Sequence, residues 1–142
     1  MAAANTQFSI AIHLMAGLGY RKEADVCSGT LASSVNANPS FVRRVIAKLS
    51  KAGLVHTTTG KGGSCCLARK PADISLYDIY KAVEAPQAFA IHNYEAEKAC
   101  KVSCNIKPAL EGVLNKAQKG MEESLKKLSL AEVIADLKMD TG

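Results

Sequence analysis

Two cysteines four residues apart, Cys100 and Cys104 in "EKACKVSCNIK", are the residues of this chain best placed for covalent chemistry. On a helix that spacing puts both thiols on one face within about 6 Å, near the range a disulfide tolerates. Lys98, Lys101 and Lys107 surround them. The positive end of a helix starting there adds to a field that favours thiolate, and hence oxidation. Cys27 precedes a candidate helix pair, where a sulfenic acid or mixed disulfide would disturb what the pair does. It reads equally as a small buried hydrophobe. Cys65 and Cys66 are neighbours in a strand-like stretch, point to opposite faces, and are expected to pack rather than bond. Five cysteines, an odd number, with no basic lead ahead of the apolar N-terminal part, fit reduced thiols in a cytosolic protein.

The second set of chemical groups is cationic. "NPSFVRRVIAKLSKAGL", residues 38–54, carries Arg43, Arg44, Lys48 and Lys51 and no acid, while apolar residues recur at helical intervals. Residues 1–71 hold nine Lys/Arg against two acids, and residues 72–142 hold nine against eleven. The basic half is therefore where a polyanion would bind. Enzyme signatures are missing: no paired carboxylates or Ser-His-Asp arrangement stands out, and His13, His56 and His92 are scattered, His13 beside an apolar stripe where packing is expected. "GKGG" lacks the spacing of a phosphate-binding loop. No run approaches the ~18 to 20 apolar residues of a membrane span.

These groups need elements to position them. A first helix over about 5–18 aligns Phe8, Ala11, Ile12, Met15 and Leu18 and closes near Gly19. Ser28 caps a short second helix that turns Leu31, Ala32 and Val35 inward. Asn36, Ala37 and Asn38 form a turn, and Asn38 caps a third helix with Pro39 at its first position. Val42, Val45, Ile46 and Leu49 make its apolar face, and Gly53 ends it. "LVHTTT", "GKGG" and "SCCLAR" read as a β-hairpin. "SLYDIYKAVE" returns to helix, with Ser75 as cap and Asp78 three residues on. Residues 85–99 show no period. A long helix over about 105–128 would measure roughly 35 Å, with an apolar stripe that nothing left in the chain covers, which points to a partner subunit. "SLAEVIADL" forms a last short helix, and the prolines at 39, 71, 86 and 108 mark joints.

Two short helices joined by a tight turn, the second basic on its free face and followed by a hairpin, make a winged helix-turn-helix. The expected fold is mainly α with a small β-hairpin and a long C-terminal dimerisation helix. Ser40 and Arg43 can reach base edges in a major groove, Arg44, Lys48 and Lys51 can meet phosphates, and Lys61 at the hairpin tip adds a phosphate or minor-groove contact. Thr30, Asn38 and Thr59 complete the candidate DNA-binding set, and Cys27, Cys100 and Cys104 form the candidate redox-sensing set. Two other readings stay open: a thiol- or metal-handling protein using Cys100 and Cys104, and an interaction module acting through the acidic C-terminal half.

"NPSFVRRVIAKLSKAGLV", "GKGG", "LARKPADISLYDIYKAVE" and "FAIHNYEAEKACKVSCNI" together resemble the Rrf-Two family of bacterial winged-helix transcription regulators, closest to its YwnA-like branch. The resemblance implies a cytoplasmic homodimer paired through its long helices on a palindromic double-stranded DNA site, acting as a repressor and answering to thiol oxidation or a ligand. It also implies a DNA-binding domain over 1–84, a loop with sensor cysteines over 85–104 and dimerisation helices over 105–142. Ser40, Arg43 and Arg44 fall in the recognition helix and Thr59 to Gly63 in the wing tip. Thr59 departs from a cluster-binding relative, which has arginine there. Cluster-sensing members use three closely placed cysteines and a fourth ligand. This chain offers only Cys100 and Cys104 there and would have to recruit His92, Cys27 or a partner side chain. No resident cofactor is expected.

Overall fold

The structure, a computed structural model, describes residues 6–21, 26–27, 33–58 and 64–138. The chain divides into two compact units, residues 1–85 with 125–142, and residues 86–124.

In the first unit, helix α1 (Gln7–Arg21) buries Ala11, Leu14, Met15 and Leu18. It does not close at Gly19. A Cβ built on Gly19 would overlap Cδ1 of Ile134 and meet Cδ1 of Leu67 at 3.2 Å. Glycine stands there so that two other elements can approach the helix axis, and the helix runs past it. His13 also departs from expectation: it is exposed, and its Nε2 lies 3.1 Å from the Ser34 hydroxyl. Residues 33–35 are helical, and Val35 packs half-buried against the core. The proposed cap Ser28, with Leu31 and Ala32, lies outside the described residues.

The turn that follows depends on Asn36, which takes φ 54°, a left-handed conformation that asparagine tolerates better than most residues. Helix α2 (Pro39–Lys51) then starts under Asn38, whose side-chain oxygen accepts the Ser40 N–H at 2.8 Å, with Pro39 in the first turn. Val42, Val45, Ile46 and Leu49 are its buried face. At the far end Gly53 takes φ 78°; its N–H reaches the Ser50 carbonyl and the Leu54 N–H the Leu49 carbonyl, each at 3.0 Å. That pair of bonds is a Schellman motif, and buried Leu49 and Leu54 supply its usual apolar partners.

Strands β1 (Val26–Cys27), β2 (Val55–Thr57) and β3 (Ser64–Leu67) form an antiparallel sheet in the order β1-β3-β2. The sheet has one strand more than the expected hairpin, because a two-residue strand carries no periodicity of its own. His56 pairs with Cys66 and Thr57 with Cys65, so Cys65 is buried while Cys66 on the other face is half-buried. The hairpin tip, residues 59–63, lies outside the described residues.

A 3-10 turn (Pro71–Asp73) leads to helix α3 (Leu76–Ala82), which opens on a full capping box between Ser75 and Asp78. A second capping box, Ser129 with Glu132, opens the terminal helix. The two are tied together by backbone bonds from Leu76 N–H to the Leu128 carbonyl at 2.8 Å and from Leu130 N–H to the Ile74 carbonyl at 2.9 Å. This terminal helix, Leu130–Lys138, buries Leu130 and Ile134 in the core of the first unit. Gly19 of α1 lies against its Ile134, while Leu137 on the same helix is 46% exposed.

In the second unit, residues 86–100 have no regular structure and helix α4 (Lys101–Lys127) begins; the terminal helix is accordingly α5. From Leu125 onward α4 belongs to the first unit. It starts four residues earlier than the sequence suggests, and Pro108 sits inside it rather than at a joint. Proline there removes the N–H that would have met the Cys104 carbonyl. The one buried residue of α4 is polar: Gln118, 8% exposed, accepts the Ala88 N–H at 3.0 Å and donates to Glu122 at 2.8 Å. Along the apolar stripe Ile106, Leu110, Leu114, Met121 and Leu125 are half-buried and Val113 is 58% exposed; Val102, one turn before Ile106, is 68% exposed.

Candidate nucleic-acid interface

The free face of α2 is built from its first two turns. Asn38 fixes the first N–H groups, so Ser40 and Arg43, one turn apart, share a face, with Arg43 Nη2 3.4 Å from the Ser40 hydroxyl. The Arg44 guanidinium lies 5.6 Å from the centroid of the Phe41 ring, and Phe41 itself leans on the core. Asn38, Ser40, Phe41, Arg43, Arg44 and Ala47 line an open concavity that contains no acid. Ser40, Arg43, Arg44 and Lys51 are exposed and Lys48 is half-buried.

Of the candidate DNA-binding residues, the structure thus brings Asn38, Ser40, Arg43, Arg44, Lys48 and Lys51 onto one helix. Thr30, Thr59 and Lys61 lie outside the described residues. Asn38 already spends its side-chain oxygen on the cap. Phe41 is a residue that the sequence reading misses, because its spacing marks it neither as core nor as basic face. Thr58 is another: its hydroxyl oxygen accepts the Ser64 N–H at 3.0 Å and its own N–H reaches the Ser64 carbonyl at 2.9 Å, closing the base of the wing.

The cysteines sit differently from one another. Cys100 is the residue before the first turn of α4, and its sulfur accepts the Ser103 N–H at 3.4 Å. The Cys104 thiol points back to the carbonyls of Glu97 at 3.5 Å and Lys98 at 3.9 Å. Both are exposed. The side chain of Cys27 lies outside the described residues. His92 stacks on Tyr94, ring centroids 4.9 Å apart, and the Tyr94 hydroxyl donates to the Ser103 carbonyl at 2.6 Å.

A family profile described as Rrf2, an iron-dependent transcriptional regulator, matches residues 4–136. YwnA of Bacillus subtilis (strain 168), assigned as an HTH-type transcriptional regulator, is 35% identical over 134 residues, covering 94% of this chain and 98% of YwnA. A crystal structure assigned as a transcriptional regulator from Lactobacillus plantarum superposes with a TM-score of 0.81 at 26% identity, covering 95% of this chain and 91% of that one. IscR of T. potens shares the fold, with a TM-score of 0.71 at 23% identity over 99% of this chain and 92% of its own.

The family description names iron. Among the described residues no three His, Cys, Asp or Glu side chains gather as metal ligands. Cys100 and Cys104 are two of the four ligands an iron-sulfur centre takes, and the Cys104 thiol is turned to backbone carbonyls. No step is assigned to iron in this chain. With the profile spanning nearly all of its residues and a full-length relative at 35% identity, the chain belongs to the Rrf2 family of transcriptional regulators.

Proposed function

We propose that this protein is a dimeric, sequence-specific DNA-binding regulator that acts as a repressor. The observation that carries the reading is the acid-free outer face of α2, capped at Asn38, closed at Gly53 and presenting Ser40, Arg43 and Arg44 together. A helix of 13 residues whose first turns carry such groups suits a major groove, with serine and arginine at base edges and Lys48 and Lys51 at phosphates. The second subunit is supported by the stripe of α4, where Val102 and Val113 lie exposed and no apolar residue of the helix is buried. A gel shift against the promoter of its own gene tests the reading. Nanomolar binding that falls steeply with salt is expected, and binding insensitive to salt would refute it.

A thiol response is a second reading, favoured by the first turn of α4. Joining Cys100 to Cys104 would release two electrons and two protons to hydrogen peroxide, which leaves as two waters. The new bond would remove the sulfur contacts to Ser103, Glu97 and Lys98 that start the helix. Peroxide should then change the gel shift of the wild type and leave Cys104→Ser unchanged.

A further inference from the structure

Behind the C-terminal end of α2 lies a cleft of about 220 Å³, lined by Ala52, Leu54, Arg69, Asp78, Lys81 and Ala82. Its wall carries two cations and one acid. Arg69 Nη1 pairs with Asp78 Oδ2 at 4.0 Å, too far for a hydrogen bond, and among the described residues the guanidinium meets no closer acceptor. Asp78 Oδ2 already accepts the Ser75 N–H at 3.0 Å, which holds the carboxylate to the start of α3. Lys81 also lines the cleft, and its ammonium lies 5.6 Å from the Tyr77 ring centroid. Buried Leu54, half-buried Ala82 and exposed Ala52 add apolar surface to the lining.

A guanidinium and an ammonium on the lining of one small space match an oxyanion, and the alanine and leucine side chains beside them suit a short carbon chain. At about 30 Å³ per water the space equals roughly seven waters, room for a phosphate or a small organic acid together with some of its water. The location links it to the helix. Ala52 is the C-cap of α2, Leu54 N–H closes the Schellman motif, and the Leu54 carbonyl accepts the Ala68 N–H at 3.0 Å. Ser40 stands twelve residues away, about 18 Å along the helix, so a ligand here leaves the outer face clear.

We propose that this cleft binds a free small oxyanion of carboxylate or phosphate chemistry through Arg69 and Lys81, and that occupancy braces the C-terminal end of α2. Its effect on DNA affinity rests on the DNA-binding reading above; the binding itself does not.

Titration calorimetry of the full chain without DNA, at fixed ionic strength in chloride, uses inorganic phosphate and succinate as probes. At least one should bind saturably, one per chain, and Arg69→Gln and Lys81→Gln should each weaken it at least about tenfold, with Lys81→Arg keeping most of the affinity. Both side chains are at the surface, and thermal melts check that the variants fold. Wild type that binds neither probe, or variants that bind like wild type, would overturn the proposal. So would variants that lower the salt slope of DNA binding by about one each, because the cations would then serve phosphates of the duplex. Failure of the DNA reading is seen separately, as no gel shift in the absence of either probe.

Discussion

The Arg44 guanidinium rests over the ring of Phe41, three residues earlier on the same helix, and Phe41 rests on the core. A long flexible cation is thereby held near one position before any phosphate arrives, which lowers the entropy lost on binding. Phe41→Leu keeps the apolar contact with the core and removes the ring. Affinity should fall about two- to fivefold for operator and random DNA alike, with an unchanged salt slope, since no cation is lost. Fluorescence anisotropy at several salt concentrations measures both quantities.

Arg43 and Lys51 stand at opposite ends of α2 and should fail in different ways. Arg43, beside Ser40 at the entering end, is suited to a base edge. Arg43→Ala should compress the preference for operator over mismatched DNA by about 1–3 kcal/mol. Lys51→Ala should weaken all sequences together and reduce the salt slope by about one. Equal losses of preference in the two variants would contradict the assignment of roles.

The ends of α2 make a prediction about stability. Asn38→Ala removes the oxygen that accepts the Ser40 N–H and should cost about 1 kcal/mol, while Asn38→Ser should retain most of it. Gly53→Ala meets no atom within 4 Å, so its cost comes only from the φ of 78° and should be about 1–2 kcal/mol. Urea midpoints at constant slope read out both effects.

These two ends were legible in the sequence because their chemistry is local: asparagine before proline, and glycine after a basic last turn, act within a few bonds. Gly19 is used instead for its missing side chain, making room for Ile134 more than a hundred residues on, so no local pattern separates it from a helix stop. The same holds for β1, two residues that become a strand only because β3 pairs with them, and for α5, whose burial depends on α1. Pro108 misleads in the other direction, since a proline inside a solvated helix leaves a free carbonyl that water can meet. At the candidate interface the charges were legible and the Phe41 support was not.

Gly19 and Ile134 should therefore be coupled. Gly19→Ala adds a methyl group where Cδ1 of Ile134 already sits, and the overlap should outweigh the gain in helix propensity. Ile134→Val deletes that same Cδ1 and should cost about 1 kcal/mol by itself. In the double variant the two changes offset each other, so its loss should be smaller than the sum by at least about 0.5 kcal/mol. Strict additivity would mean that α1 and α5 relax apart in the single variant.

Val113 tests the partner subunit with little disturbance of the chain itself. It is 58% exposed, so Val113→Asp leaves the isolated fold nearly untouched, within about 0.5 kcal/mol. In a dimer joined along α4 the same change buries a carboxylate in an apolar seam and leaves it unpaired. Sedimentation at micromolar concentration should show a dimer for the wild type and a monomer for the variant. Binding to a palindromic operator should fall far more than binding to a half-site, because two recognition helices held at fixed spacing engage the palindrome together. A wild type that sediments as a monomer, or a variant that remains dimeric with full operator affinity, would place the subunit contact on another face.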